Sequence, residues 1–124
     1  MSKTIKGVLI DPEKREITEV DVPVDEYGSC LDGMYQTIDC SCVDCARKRL
    51  CWLPGIPEDD VWFDDEYYMT GRDRIAAWMI QGFGPIGGRG LILGCTEDGE
   101  SVDHTLTPEA IEELRRAIRW GRRQ

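Results

Sequence analysis

Apolar and polar residues take turns along the first stretch of the chain. Thr4 to Ile10 reads as a β-strand, and Asp11-Pro12-Glu13-Lys14 supplies turn chemistry in which Pro presets φ at the second position. Glu16 to Val24 then alternates, with Thr18, Val20, Val22 and Val24 on one face and Ile17, Glu19 and Asp21 on the other. Together the two strands predict a hairpin with a mostly polar outer face. Pro23 has no amide proton for a ladder and is expected to end the pairing.

The period then changes. Between Asp25 and Tyr35, Tyr27, Leu31 and Met34 recur at helical spacing with Cys30 beside them, which predicts a short helix. Gly28 and Gly33 oppose it, since each is about 1 kcal/mol worse than Ala in a helix interior. Gln36 to Cys42 returns to alternation, with Ile38, Cys40 and Cys42 on one side. Leu50–Leu53 and Val61–Phe63 are short apolar segments bracketing a turn at Pro54-Gly55-Ile56-Pro57. Arg72 to Ile80 fits a helix face through Ile75, Trp78 and Met79, or equally a strand. Leu91-Ile92-Leu93 is a continuous apolar strand, Glu97-Asp98-Gly99-Glu100 a hairpin turn, and Ser101 to Leu106 the returning strand.

The last element is the clearest. Thr107 is an N-cap and Pro108 sits at the first helical position, with Glu109, Glu112 and Glu113 toward the positive end of the helix dipole. Arg115, Arg116 and Arg119 load the negative end, Ile111, Leu114 and Ile118 form the apolar stripe, and Gly121 is the expected stop. With no repeat, linker or low-complexity tract, residues 1–124 predict one α+β domain. Its expected form is a mostly antiparallel sheet with an N-terminal hairpin, one short helix and a C-terminal amphipathic helix.

Composition narrows the class. Hydrophobic residues make up 41% of the 124 and charged residues 31%, which excludes a disordered chain. Fifteen Lys and Arg against 24 Asp and Glu leave a net charge of −9, the opposite sign from a protein that grips phosphate backbones. No direct nucleic-acid binding is expected. The charge is also lopsided: all 24 acids fall in residues 1–114, while the final ten residues hold five arginines and no acid. Val8-Leu9-Ile10 is cut short by Asp11-Pro12, so neither an export signal nor a span of about 20 apolar residues is expected, and the cytoplasm is the expected compartment. The six cysteines are then expected as thiols.

Four patterns carry candidate chemistry. Cys40, Cys42, Cys45 and Cys51 crowd into twelve positions, and four thiolates can close a tetrahedral zinc site that braces a loop. Against zinc, three of them lie within six residues instead of as two separated pairs, and Cys40 and Cys42 also fit a strand as small buried hydrophobes. A third alternative is a redox pair, Cys42 with Cys45, whose thiolates Arg47, Lys48 and Arg49 would favour. Gly82-Phe83-Gly84-Pro85-Ile86-Gly87 spells the dinucleotide fingerprint, but Pro85 removes a donor and no helix follows, so a flexible loop is the better reading. His104 stands beside Asp103 with no nucleophile motif to serve. Finally, Glu58, Asp59, Asp60, Asp64, Asp65 and Glu66 place six carboxylates within nine residues, interleaved with Trp62, Phe63, Tyr67 and Tyr68. They are either a solvated acidic loop around a buried Trp-Phe pair or a negative surface, with Trp62 as aromatic anchor, that a basic groove would select. No constellation announces an enzyme.

Several stretches resemble a family of small early-type proteins of bacteriophages and mobile elements. They are Ile5-Lys6-Gly7-Val8-Leu9-Ile10-Asp11-Pro12-Glu13 with Ile17-Thr18-Glu19-Val20, then Trp62-Phe63-Asp64-Asp65-Glu66, then Gly90-Leu91-Ile92-Leu93-Gly94 through Asp98-Gly99. Ser101-Val102-Asp103 and the terminal helix complete the likeness, from which the cysteine-rich segment 40–51 departs. The resemblance implies action in a host cytoplasm on host machinery, as an anti-CRISPR or anti-restriction inhibitor acts, and it brings no active-site residues with it. The expected protein is therefore a non-enzymatic inhibitor of a basic, nucleic-acid-handling host protein, or alternatively a zinc-stabilised structural or regulatory module.

Overall fold

Residues 3–65 and 75–123 are described in a computed structural model. Strands β1 (Lys3–Asp11) and β2 (Glu16–Val24) form the N-terminal hairpin, in register from Lys3 opposite Val24 to Asp11 opposite Glu16. The Asp11 carboxylate accepts the N–H groups of Glu13 (3.1 Å) and Lys14 (3.3 Å) and so sets the turn. Pro23 does not end the pairing, because it lies opposite Thr4 inside the ladder. β2 is an edge strand, and the missing amide proton of Pro23 falls on its free side.

The helix expected over 25–35 is displaced. The Asp25 carboxylate accepts from Tyr27 N and Ser29 N, both at 2.9 Å, and Gly28 sits at φ 83°, so 25–29 is a closed loop. Helix α1 (Leu31–Ile38) follows and ends at Asp39 in the left-handed region. Its last turn absorbs Ile38, so the alternating stretch 36–42 is no strand; β3 starts later (Val43–Ala46). Gly33 is what lets α1 lie on β2: a Cβ there would stand 2.3 Å from the Pro23 carbonyl oxygen.

The remaining strands are β4 (Asp60–Asp64), β5 (Ile75–Ile80), β6 (Phe83–Gly87), β7 (Gly90–Cys95) and β8 (Ser101–Val102). Arg72 to Arg74 lie outside the described residues, and the rest of that ambiguous stretch is strand. The glycine-rich segment is not a loop: β6 pairs with β5 as a hairpin, and no helix opens after it. The expected return strand 101–106 shrinks to β8, because Asp59 and β1 take up the backbone beyond it. Helix α2 (Pro108–Ala117) carries the predicted cap, with Thr107 Oγ1 accepting from Ala110 N at 3.1 Å. It stops at Ile118, before Gly121, and the chain reverses into β9 (Arg119–Arg123), which pairs with β5.

The strands form two antiparallel sheets, ordered β2-β1-β7-β4-β3 with β8 on the far end of β7, and β6-β5-β9. The fold is α+β. The larger sheet is covered on both faces. One face packs Val22, Leu91 and Leu93 against Met34 and Ile38 of α1. The opposite face packs Val8, Ile10, Val61 and Ile92 against Leu114 of α2 and against Trp78 and Ile80 of the smaller sheet. Each such fully buried side chain contributes about 1.5–3 kcal/mol. Trp78 joins the two sheets: its indole N–H donates to the Gly88 carbonyl at 3.1 Å, and its ring lies where a Cβ of residue 90 would be 2.5 Å away. No helix among the described residues is long and apolar enough to cross a membrane.

Candidate functional site

The acidic segment is not a surface loop. Asp60, Trp62 and Asp64 alternate with Val61 and Phe63 along β4, and β4 lies between β3 and β7. An interior strand buries whatever it carries, and Asp59, Asp60 and Asp64 are only 2%, 5% and 8% exposed. These three carboxylates are therefore buried, a correction to the exposed surface expected of them. Asp59 holds Thr105 twice, accepting from its backbone N–H at 2.7 Å and from its hydroxyl at 2.5 Å, and so ties the start of β4 to the approach to α2. Asp60 stands beside the thiols of Cys45 and Cys95 and raises both, while the Cys95 Sγ donates to the Thr96 carbonyl at 3.3 Å. Asp64 stands beside Cys40.

Trp62 is half-buried against the α1-side core, not presented as an anchor, and its indole N–H has no hydrogen-bond partner among the described residues. Only Glu58 and Asp65 of the segment face solvent; Glu66, Tyr67 and Tyr68 lie outside the described residues. Glu58 rims a shallow pocket shared with Arg47, Lys48, Asp60, Cys95 and Glu97.

The cysteines do not converge. Asp64 pairs with Val43 and Cys45 with Trp62, so Cys40 and Cys42 lie toward the Asp64 end of β4 and Cys45 toward the Asp60 end. Cys51 is exposed in the following loop. Among the described residues no group of three or more His, Cys, Asp or Glu is placed to hold a metal ion. Burial and then the Asp64 charge push the Cys40 thiol up to about 11. Burial and then the Asp60 charge push Cys45 up to about 11, and nearby Arg47 offsets only part of this. The thiolate that a Cys42–Cys45 redox pair needs is disfavoured at Cys45. Cys30, buried under α1, is a core thiol.

His104 also serves the fold. Its Nδ1 accepts from Leu106 N at 3.1 Å, which puts the proton on Nε2, 3.3 Å from Glu19 Oε2. Part of the basic end is engaged by the fold as well. The Arg115 guanidinium donates to the Ile17 carbonyl at 2.8 Å, blunting the free edge of β2, and pairs with Glu112. Arg116 pairs with Glu113.

A feature missed in the sequence lies at the other end of the large sheet. A groove of about 480 Å³ runs between the first residues of β1 and β8, lined by Ile5, Val24, Gly28, Glu100, Val102 and Asp103, among others. Tyr27, next in the chain to the lining residue Gly28, is 86% exposed on the loop that Asp25 closes. The only signal for it was a large aromatic in an Asp25-Glu26-Tyr27-Gly28 turn, which helical spacing disguised. No family model, curated protein or solved structure matches the chain.

Proposed function

We propose that the protein is a non-enzymatic inhibitor whose acidic exterior captures a basic, nucleic-acid-handling protein of a bacterial host, in the manner of an anti-CRISPR or anti-restriction protein. One observation carries this: exposed carboxylates outnumber the cations available to neutralise them. Glu13, Asp32, Glu58, Glu97, Asp98 and Glu100 are exposed and make no ion pair among the described residues; together with Glu16, Asp25, Glu26, Asp39, Asp44, Asp65, Asp103 and Glu109 they outnumber the exposed cations without an ion pair there, Lys3, Lys14, Arg15, Arg47, Lys48, Arg49 and Arg119. Uncompensated negative charge steers a basic partner and repels nucleic acid itself. With Asp59 and the two β4 acids Asp60 and Asp64 inside, the recognition charge falls to Glu58 and the β7–β8 turn. The likeness to phage-borne proteins supports a host protein as the target and the host cytoplasm as the place.

Affinity capture from a bacterial lysate tests it, comparing the native chain with E58K/E97K/E100K. The expected result is a basic protein retained by the native chain, released by salt and lost with the triple variant. An unchanged captured set would contradict the proposal.

A further inference from the structure

The first half of β1 has an unfinished edge. β1 pairs with β7 only at Val8, Leu9 and Ile10, and Lys6 uses its outward N–H and carbonyl on Asp103 Oδ1 and His104 N, both at 2.8 Å. Backbone groups on a strand alternate between its two edges, so Thr4 presents its N–H and carbonyl to the same side as Lys6. There they open on the groove, with no partner among the described residues.

The groove is lined by the apolar side chains of Ile5, Val24 and Val102 and by more acids than bases, with Thr4 and Ser101 between them. Ile5 and Val24 lie on one side and Val102, 37% exposed, on the other, with Tyr27 next in the chain to the lining residue Gly28. Glu100 and Asp103 stand in the groove and Glu26 is exposed next to Tyr27, against Lys3 as the cation of the lining. A free strand edge is filled by an extended backbone, apolar walls by alternate side chains of that backbone, and an acidic rim by cations between them.

We propose that this groove seats an extended segment of the partner protein, with basic and apolar residues alternating, added as a strand at Thr4 and packed on Tyr27 and Val102. It rests on the reading that the partner is basic and names the part of the surface that takes it.

The probe is a ten-residue peptide of alternating Val and Arg, with a Val and Glu peptide as control, followed by amide NMR shifts of the full chain. Binding by the arginine peptide alone, with shifts concentrated at Thr4, Ile5, Ser101 and Val102, is expected. Thr4→Pro removes the outward donor without removing a β1–β2 ladder bond, and Val102→Lys puts a cation at the wall, where it opposes both the apolar and the basic side chains of the peptide. Each should weaken the peptide about tenfold with the dispersion of the spectrum retained. Equal binding of both peptides, shifts located elsewhere, or wild-type affinity in both variants would overturn the groove. Capture from lysate that still depends on Glu58 and Glu97 would then show that a basic partner is bound by another part of the surface. Capture insensitive to those charges would remove the basic partner itself.

Discussion

Asp59 shows how a carboxylate that looks like recognition chemistry can be a structural clamp. It is buried, and both its oxygens are taken by Thr105. Removing it leaves a backbone N–H and a hydroxyl inside with no acceptor, so D59A should cost about 2–3 kcal/mol, read as a lower midpoint in urea at constant m-value. A midpoint within error of the native chain would show that Thr105 is satisfied some other way. The thiols around β4 make a second prediction. Cys40 and Cys45 are raised from an ordinary 9.0 to about 11, so the folded protein keeps protons that the unfolded chain releases. That contribution to stability is whole below pH 9 and is lost as the pH rises toward 11. At pH 8 the shift of two units lowers the thiolate fraction about a hundredfold, and alkylation of Cys45 in the native protein should slow by about that factor relative to the urea-unfolded chain. Equal rates, mapped by mass spectrometry, would place Cys45 in solvent.

At the scale of elements, Gly33 separates what propensity dictates from what packing dictates. A glycine in α1 is unfavourable by about 1 kcal/mol, and an alanine there would improve an isolated helix. In the folded protein the added methyl meets the Pro23 carbonyl oxygen at 2.3 Å, so the helix must lift from β2. G33A should therefore destabilise, by about 1–3 kcal/mol, with a melting temperature lower than that of the native chain. A rise would mean that α1 does not rest on β2. Elements specified by near neighbours were legible in the sequence: the β1–β2 hairpin through Asp11-Pro12, and α2 through Thr107, Pro108 and its apolar stripe. Elements specified by distant partners were not. β4 reads as an acidic loop until β3 and β7 are known to flank it, and the run of glycines before β7 hides a strand. Helical spacing at Tyr27 came from a loop that the Asp25 side chain closes. Gly121 was expected to stop α2, yet Ile118 ends it by entering the extended region, because β5 offers Arg119–Arg123 a ladder.

For the whole molecule the decisive quantity is the field outside it. Of the 24 acids behind the net charge of −9, Asp11, Asp59, Asp60 and Asp64 are buried, and most of the other described acids stay exposed. Large parts of the acidic exterior are therefore still open to a cationic surface, including the β7–β8 turn and the rim of the β1–β8 groove. The candidate surface was legible from the sequence only as a sum of charges. Its position depended on which acids the sheet swallowed, and that is a property of strand order. Screening gives the most direct test: the dissociation constant of the captured basic protein, measured by calorimetry between about 0.05 and 0.5 M salt. The account predicts an affinity that falls steeply and continuously over that range for the native chain and much less for E58K/E97K/E100K; an affinity independent of salt, and equal for the two proteins, would contradict it.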